Sequence, residues 1–363
     1  MAGGASGGHL YPGIAVAEAL KELEPQAEII FLCTERPIDR EILEKSPWPF
    51  ETQPIRPIPR PRLKEIVNFF QCWRASMKLC RKVMQENKPV AVLGLGGFAS
   101  GPALKTASRL QVPTAMLNPD ALPGRANRFC RKYAQRIFVQ WQQSLDHFGN
   151  DKSKCVVTGC PIRKEFVELA AKHQNNNSEK LMLIMGGSQG GRNLNQAVVK
   201  TLTEIRDQKS LLQNWCVVHI TGTQDKQVVE EKYRTCGLNV EVLSFSHQMP
   251  QLLSQADLVI GRAGASSLAE LTATGIPSIL LPYPYHKDQH QLCNGRILEQ
   301  AGAAKVVIDQ CNEQKTAQEL KAVLAEILTE EGRLEQMARA AAGIGKPDAA
   351  LRVAQELRML TSH

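Results

Sequence analysis

Apolar residues fall along this chain in two alternating patterns. Short uninterrupted runs mark buried strands at 28–33, 90–93, 113–117, 136–139 and 155–157, then at 181–185, 216–221, 240–243, 257–260 and 278–281. Between them apolar positions recur every three to four residues, as in 13–23, 103–110, 224–236 and 265–274, the spacing of helices with one buried face. Strand and helix in alternation build a parallel sheet with crossover helices, and here the alternation occurs twice. The break is the polar stretch 172–180 (KHQNNNSEK), which reads as a linker or surface loop between two Rossmann-like halves of an α/β protein. Beyond Gln310 the pattern is helical, punctuated by Gly343 and Pro347.

Glycine gathers where strands should hand over to helices. A glycine loop lets a ligand approach the backbone, and at a helix N-terminus it adds free N–H groups and the positive end of the helix dipole. The opening stretch MAGGASGGHLYPG is built that way: Gly7, Gly8 and His9 precede Pro12, accepted in a first helical turn, and then Ile14, Val16, Ala17, Leu20 and Leu23. A second loop is GGSQGGR at 186–192, which fails the Walker A pattern, and a third is GLGGFASG at 94–101. A fourth segment, GRAGASSLAE at 261–270, offers Glu270 to a ribose diol, while Ser267 and Glu270 equally read as a capping box. The polar cluster at 282–294 lies at a carboxyl strand end, where open α/β sheets bind ligands. Its His286, Asp288 and His290 have ligand chemistry but no companion cluster, so no metal is expected. A phosphate loop is normally fed by a strand, yet only Met1 and Ala2 precede the first one, so the first strand of the first sheet is expected to be missing.

Composition narrows the partners. The net charge of +8 draws the chain toward something anionic. With 5% aromatic residues, no zinc-finger spacing and no RNP-like motif, a nucleic-acid reader is not expected. The longest apolar runs fall well short of the ~20 residues that span a bilayer, and no signal peptide is seen, which predicts a cytoplasmic address. Ten cysteines scattered without a C-x-x-C pair fit reduced thiols there.

Taken in order, AGGASGGHLYPG, GLGGFASGPA, DALPGRANR, TGCPIR, GGSQGGRNLN and RAGASSLAEL through HKDQHQ resemble the MurG family of glycosyltransferases, over most of the chain from its first residue to about Asn294. The resemblance implies a GT-B fold, two Rossmann-like domains whose parallel sheets face a cleft, here over 1–160 and 161–345, with the helix at 346–363 packed back on the first. It implies inverting transfer of N-acetylglucosamine from UDP-GlcNAc to the undecaprenyl-diphosphate-linked muramyl pentapeptide, lipid I, giving lipid II for peptidoglycan. Implied donor contacts are Ser188, Gln189 and Gly190 at the diphosphate, Arg163 as a cation, Glu270 at the ribose with Ala265, Ser266, Ser267, Leu268 and Ala269 beside it, and Ser246 at the uracil. Gln289 and Gln291 match the segment that reads the sugar hydroxyls, and Ser6, Gly7, Gly8 and Asp120 complete the donor set. The acceptor diphosphate is assigned to Gly7, Gly8, His9, Gly96, Gly97 and Ser100. His9 and Glu270 are the implied catalytic pair, His9 because an imidazole that titrates near neutrality can deprotonate an attacking hydroxyl. The competing reading makes His9 a helix cap or an acceptor contact. No Asp-x-Asp pair occurs, so helix dipoles and a cation replace a metal at the leaving diphosphate, and no cofactor is expected.

Three positions depart from the family pattern: Asn118-Pro-Asp120 replaces Glu-Gln-Asn, Cys160 replaces Asn, and Ser6 replaces Thr. The lipid acceptor implies a peripheral site on the cytoplasmic face of the membrane. Basic residues from Arg56 to Lys64, then Ile66, Val67, Phe69, Phe70 and Trp73, then Arg74, Lys78, Arg81 and Lys82 suit an anionic bilayer surface, each nearby cation contributing about 1 kcal/mol. The same pattern suits an amphipathic helix whose apolar face is core. Rival functions are a GT-B transferase with another lipid acceptor, a UDP-sugar epimerase of related fold, or a non-catalytic UDP-sugar-binding scaffold.

Overall fold

The computed structural model describes residues 1–57, 59, 62–170, 179–186, 191–206, 211–235, 240–285 and 288–361. The chain forms two units, one of Met1–Arg163 with Pro347–His363 and one of Lys164–Lys346. The helix Lys164–Ala170 packs on the helices Met249–Gln255 and Ala265–Thr274 of the second unit. The polar break at 172–180 therefore belongs inside the second unit and does not divide the two; residues 171–178 lie outside the described ones.

The first unit contains β1 (Phe31–Thr34), β2 (Phe50–Gln53), β3 (Val92–Gly94), β4 (Thr114–Asn118), β5 (Arg136–Val139) and β6 (Cys155–Val157). Strands β1 and β2 pair in parallel, as do β3 through β6 in sequence order. The expected loss of a first strand needs correcting, because Met1–Gly3 runs between β1 and β3. Ala2 N–H donates to Leu93 O at 2.8 Å and Leu95 N–H to Ala2 O at 2.7 Å on one side. Gly3 N–H donates to Leu32 O at 3.0 Å and Leu32 N–H to Met1 O at 2.8 Å on the other. Three residues thus satisfy the inner edges of both neighbours, which buried backbone groups require.

Side chains alternate across this sheet. Phe31, Leu93, Leu117 and Phe138 face Leu10, Ile14 and Val16 of the helix Gly7–Leu23, together with Val353 and Leu357 of the helix Ala349–Thr361. Leu32, Val92, Met116 and Ile137 face the other way, onto Cys80, Val83 and Leu104. Both faces are covered, so the strands are apolar on both sides and read as runs.

The second unit is one six-stranded parallel sheet of β7 (Lys180–Met185), β8 (Trp215–Ile220), β9 (Val240–Leu243), β10 (Leu258–Gly261), β11 (Ser278–Leu280) and β12 (Ala304–Val306), in the order β12-β11-β10-β7-β8-β9. Its strand order reverses at β7 and β10, the switch point beside which ligands sit in doubly wound sheets. Met182, Ile184, Leu258, Ile260 and Ile279 form its core with Leu194, Val198 and Leu202 of the helix Arg192–Ile205.

Candidate functional site

In the first unit the opening glycines do not precede the helix; they are its first turn. The helix spans Gly7–Leu23 with Ser6 as an extended N-cap, six residues earlier than the apolar spacing predicts. His9 therefore sits inside the turn, its ring laid over the third glycine loop. A Cβ on Gly96 would come within 3.2 Å of His9 Cδ2, and one on Gly97 within 3.0 Å of His9 Cε1, where both glycines hold positive φ. Only residues without a side chain let the imidazole lie there.

His9 Nδ1 is 3.0 Å from the Gly4 carbonyl oxygen and 3.1 Å from Ser6 Oγ. A carbonyl can only accept, so Nδ1 carries the proton and Nε2 of the neutral ring keeps its lone pair. Burial pushes the His9 pKa below its ordinary value, while the Asp120 carboxylate, the Gly4 carbonyl and Asp39 pull it back up. Asp120, expected among the donor contacts, is thus an electrostatic neighbour of His9. Arg163 stacks its guanidinium 4.7 Å from the ring centroid of Tyr11, on the same helix as His9. Tyr11 has no motif signature of its own in the sequence.

Ser100 needs a correction. It is 1% exposed, accepts the Gly96 N–H at 3.0 Å, and has its hydroxyl 2.9 Å from Ala2 O and 2.8 Å from Gly96 O. Its side chain is spent on the shape of the third loop and is not available to a diphosphate.

The helix Leu63–Asn87 carries most of the basic apolar segment. Its buried residues are Ser76, Cys80, Val83 and Met84, all in its second half. In the first half Leu63, Val67 and Phe70 are 80%, 49% and 57% exposed, so that face is not core. Phe69, Phe70, Trp73 and Phe129 form a chain of aromatic contacts with centroids 5.7–6.0 Å apart. They line a cavity of about 370 Å³ whose rim carries Lys105. Lys105 lies 5.8 Å from the Trp73 ring and Lys132 4.5 Å from the Phe129 ring. Ile58, Arg60 and Pro61 lie outside the described residues.

In the second unit, Ser188, Gln189 and Gly190 also lie outside the described residues. The helix Ala265–Thr274 starts directly after Gly264, its N-cap, with no side-chain cap. Ser267 is therefore inside the first turn, and the capping-box reading fails. Ala265, Ser266 and Ser267 present first-turn amides, and half-buried Glu270 stands one turn further on. Leu268 and Ala269 do not offer side chains to a ligand: they are 0% and 6% exposed, and the Leu268 N–H donates to Gly264 O at 2.9 Å. Ser246 Oγ accepts the Gln248 N–H at 3.0 Å beside Phe245, which is 57% exposed. Gln291 Oε1 accepts the Tyr283 N–H at 2.9 Å, which leaves its Nε2 protons for a ligand. Gln289 is held left-handed, φ 50°, ahead of the helix His290–Gln300.

Beneath these residues lies a pair that sequence reasoning missed. Arg262 donates from Nη1 to Asp309 Oδ2 at 2.9 Å, with the two side chains 8% and 1% exposed, and also to Leu281 O at 2.9 Å. Asp309 Oδ1 takes the Cys311 N–H at 3.0 Å and lies 3.4 Å from Asn193 Nδ2. The pair joins the carboxyl ends of β10 and β11 to the segment after β12 and to the helix Arg192–Ile205. His219 and Asn195 form a second buried link: His219 Nε2 lies 3.2 Å from Asn195 Oδ1, and Asn195 Nδ2 donates to Thr221 O and Asp225 Oδ2. Among the described residues no group of three or more metal-type ligands forms, and no helix is long and apolar enough to cross a membrane.

Residues 1–139 match the glycosyltransferase family 28 N-terminal domain and residues 181–353 its C-terminal domain. The chain is 35% identical, over 98% of its length and 91% of the relative's, to an Anaeromyxobacter protein named UDP-N-acetylglucosamine–N-acetylmuramyl-(pentapeptide) pyrophosphoryl-undecaprenol N-acetylglucosamine transferase. It is 32% identical to a Bacillus pumilus protein of the same name, over 100% of this chain and 99% of that one. The crystal structure of Acinetobacter baumannii MurG superposes with a TM-score of 0.75 at 24% identity, covering 98% of each chain, and is similar in fold.

Proposed function

The chain belongs to glycosyltransferase family 28, and within it to the MurG family; on that premise we propose how its residues share the work. The protein is an N-acetylglucosaminyltransferase that moves the sugar from UDP-N-acetylglucosamine to the muramyl-pentapeptide pyrophosphoryl-undecaprenol acceptor. His9 is the general base. As the acceptor hydroxyl oxygen bonds to the anomeric carbon, its proton passes to Nε2, the bond from that carbon to the UDP oxygen breaks, and the configuration inverts. The observation that carries this reading is the Nδ1–H bond to Gly4 O, which reserves Nε2 as the basic atom. In the second unit the first-turn amides of the helix Ala265–Thr274 and its dipole stabilise the departing diphosphate, Glu270 holds the ribose, and Gln289 with the Nε2 of Gln291 reads the sugar. No metal takes part.

The aromatic face of the helix Leu63–Asn87, with Lys105 and Lys132 at its edge, docks the enzyme peripherally on the anionic cytoplasmic leaflet that carries the acceptor. Apolar rings enter the interface while cations meet headgroups.

The test is transfer of labelled N-acetylglucosamine to a short-tailed lipid I analogue in EDTA. Product is expected; binding of UDP-N-acetylglucosamine without product overturns the acceptor assignment. A parallel arm measures co-sedimentation with vesicles. Retention on anionic but not zwitterionic vesicles, lost at high salt, is expected; no retention on either removes the docking surface.

The Asp120 neighbour makes a signed prediction. A base must be neutral to act, so activity falls as pH drops through the His9 pKa. The Asp120 carboxylate favours the imidazolium and raises that pKa. Asp120→Asn removes the charge, so the acidic limb of the kcat/KM profile moves to lower pH. A limb that stays in place shows that His9 is not the group that titrates.

A further inference from the structure

Asp39 is fully buried, and among the described residues its carboxylate forms no salt bridge. It accepts instead from the first glycine loop and from the end of β1. Ala5 N–H points at both oxygens, 2.8 Å from each, while Thr34 N–H and Thr34 Oγ1–H reach Oδ2 at 3.0 and 2.6 Å. The loop residues it meets are in unusual conformations: Gly4 has φ 152° and Ala5 φ 73°, a left-handed state that a side-chain-bearing residue adopts only when something holds it. A Cβ on Gly4 would lie 2.3 Å from Asp39 Oδ2, so the glycine is what lets the carboxylate come so close.

The peptide that joins Gly4 to Ala5 carries the argument. It is planar and trans, so its N–H and its C=O point in opposite directions. The N–H end is fixed on Asp39, and the C=O end is the acceptor for His9 Nδ1 at 3.0 Å. Rotation of this one peptide would take away both bonds together. It would take the Gly4 carbonyl from Nδ1 and leave there the Ser6 hydroxyl, which can accept from or donate to that atom, so the neutral ring could place its proton on Nε2, where the lone pair is needed.

We propose that Asp39 is a positioning residue for the transfer, holding the Gly4–Ala5 peptide in the orientation that fixes the tautomer and aim of His9. The inference rests on the assignment of His9 as base. Asp39 touches no substrate in this scheme; it acts through one peptide group on the residue that does.

The experiment compares Asp39→Leu, similar in size but unable to accept, with wild type and His9→Ala in the full-length enzyme. Expected is a loss in kcat of about tenfold or more, as misplaced reacting groups produce, with the KM for UDP-N-acetylglucosamine unchanged. Adding Ala5→Gly, which adopts positive φ freely, restores part of the lost rate. ¹⁵N shifts of labelled histidine, assigned by difference against His9→Ala, show the Nδ1–H form in wild type and a mixture in Asp39→Leu. Should Asp39→Leu fail to fold, Asp39→Asn, which keeps one accepting oxygen, is expected to show a smaller loss in the same direction. Wild-type kcat in a folded Asp39 variant, with His9→Ala inactive, overturns the role of Asp39 alone. Activity retained in His9→Ala overturns the assignment of the base beneath it.

Discussion

His9→Ala is expected to lower kcat by about 10²–10⁴-fold, the usual contribution of a positioned general base, while the KM for UDP-N-acetylglucosamine stays as it was. The donor contacts assigned to the second unit do not involve the imidazole, so ground-state donor binding has no reason to change. A second variant separates the two things His9 does. In His9→Asn an amide N–H can still donate to Gly4 O, where Nδ1 does now, but no basic atom takes the place of Nε2. Loss in both variants assigns the base. Activity kept in His9→Asn would reduce His9 to a structural tie or an acceptor contact.

Asp309→Ala carries the largest expected cost in stability. Arg262 would keep its charge in a place where 8% of the side chain meets solvent, with its Asp309 counter-ion gone. Removing one member of a buried pair typically costs about 3–5 kcal/mol, because the remaining charge is neither hydrated nor paired. For a unit of this size that lowers the thermal midpoint by on the order of 10 °C. The double replacement Arg262→Met with Asp309→Leu is expected to recover much of the loss, since it removes both desolvation penalties at once. Kinetics then report the other half of the role. Arg262 also holds Leu281 O, and the segment that follows carries Tyr283, whose N–H binds Gln291. The double variant, though stable, is therefore expected to have a raised donor KM. A double variant with wild-type KM would make the pair a matter of stability only.

Of the twelve strands among the described residues ten were visible as apolar runs, because both faces of each sheet are covered and the central strands are buried along most of their length. Strand β2 escaped because its four residues, Phe50–Gln53, place polar groups at three positions and pair only with β1. Strand β12 is three residues with a lysine at its centre, too short for any period. The glycine motifs located the loops but not the direction of each side chain. Ser100 belongs to a motif and turns inward; Leu268 and Ala269 belong to another and form core. The roles of Asp39 and Asp309 had no local signature, since Ala5 and Arg262, the partners that define them, lie 34 and 47 positions away and only the tertiary fold brings them together.

The packing of the helix Ala349–Thr361 against Gly7–Leu23 has a consequence for biosynthesis. Val353 and Leu357 share a core with Leu10, Ile14 and Phe31, yet the whole of Lys164–Lys346 lies between the two parts of that core along the chain. At a synthesis rate of about 5–20 residues per second, the ribosome needs on the order of ten to forty seconds to cross that interval. Throughout it the nascent N-terminal sheet has an uncovered apolar flank, and the second unit, contiguous in sequence, can finish folding first. The half of the enzyme that carries His9 therefore cannot complete its core until synthesis has passed the half to which the nucleotide sugar is assigned, and its apolar flank is open to aggregation meanwhile.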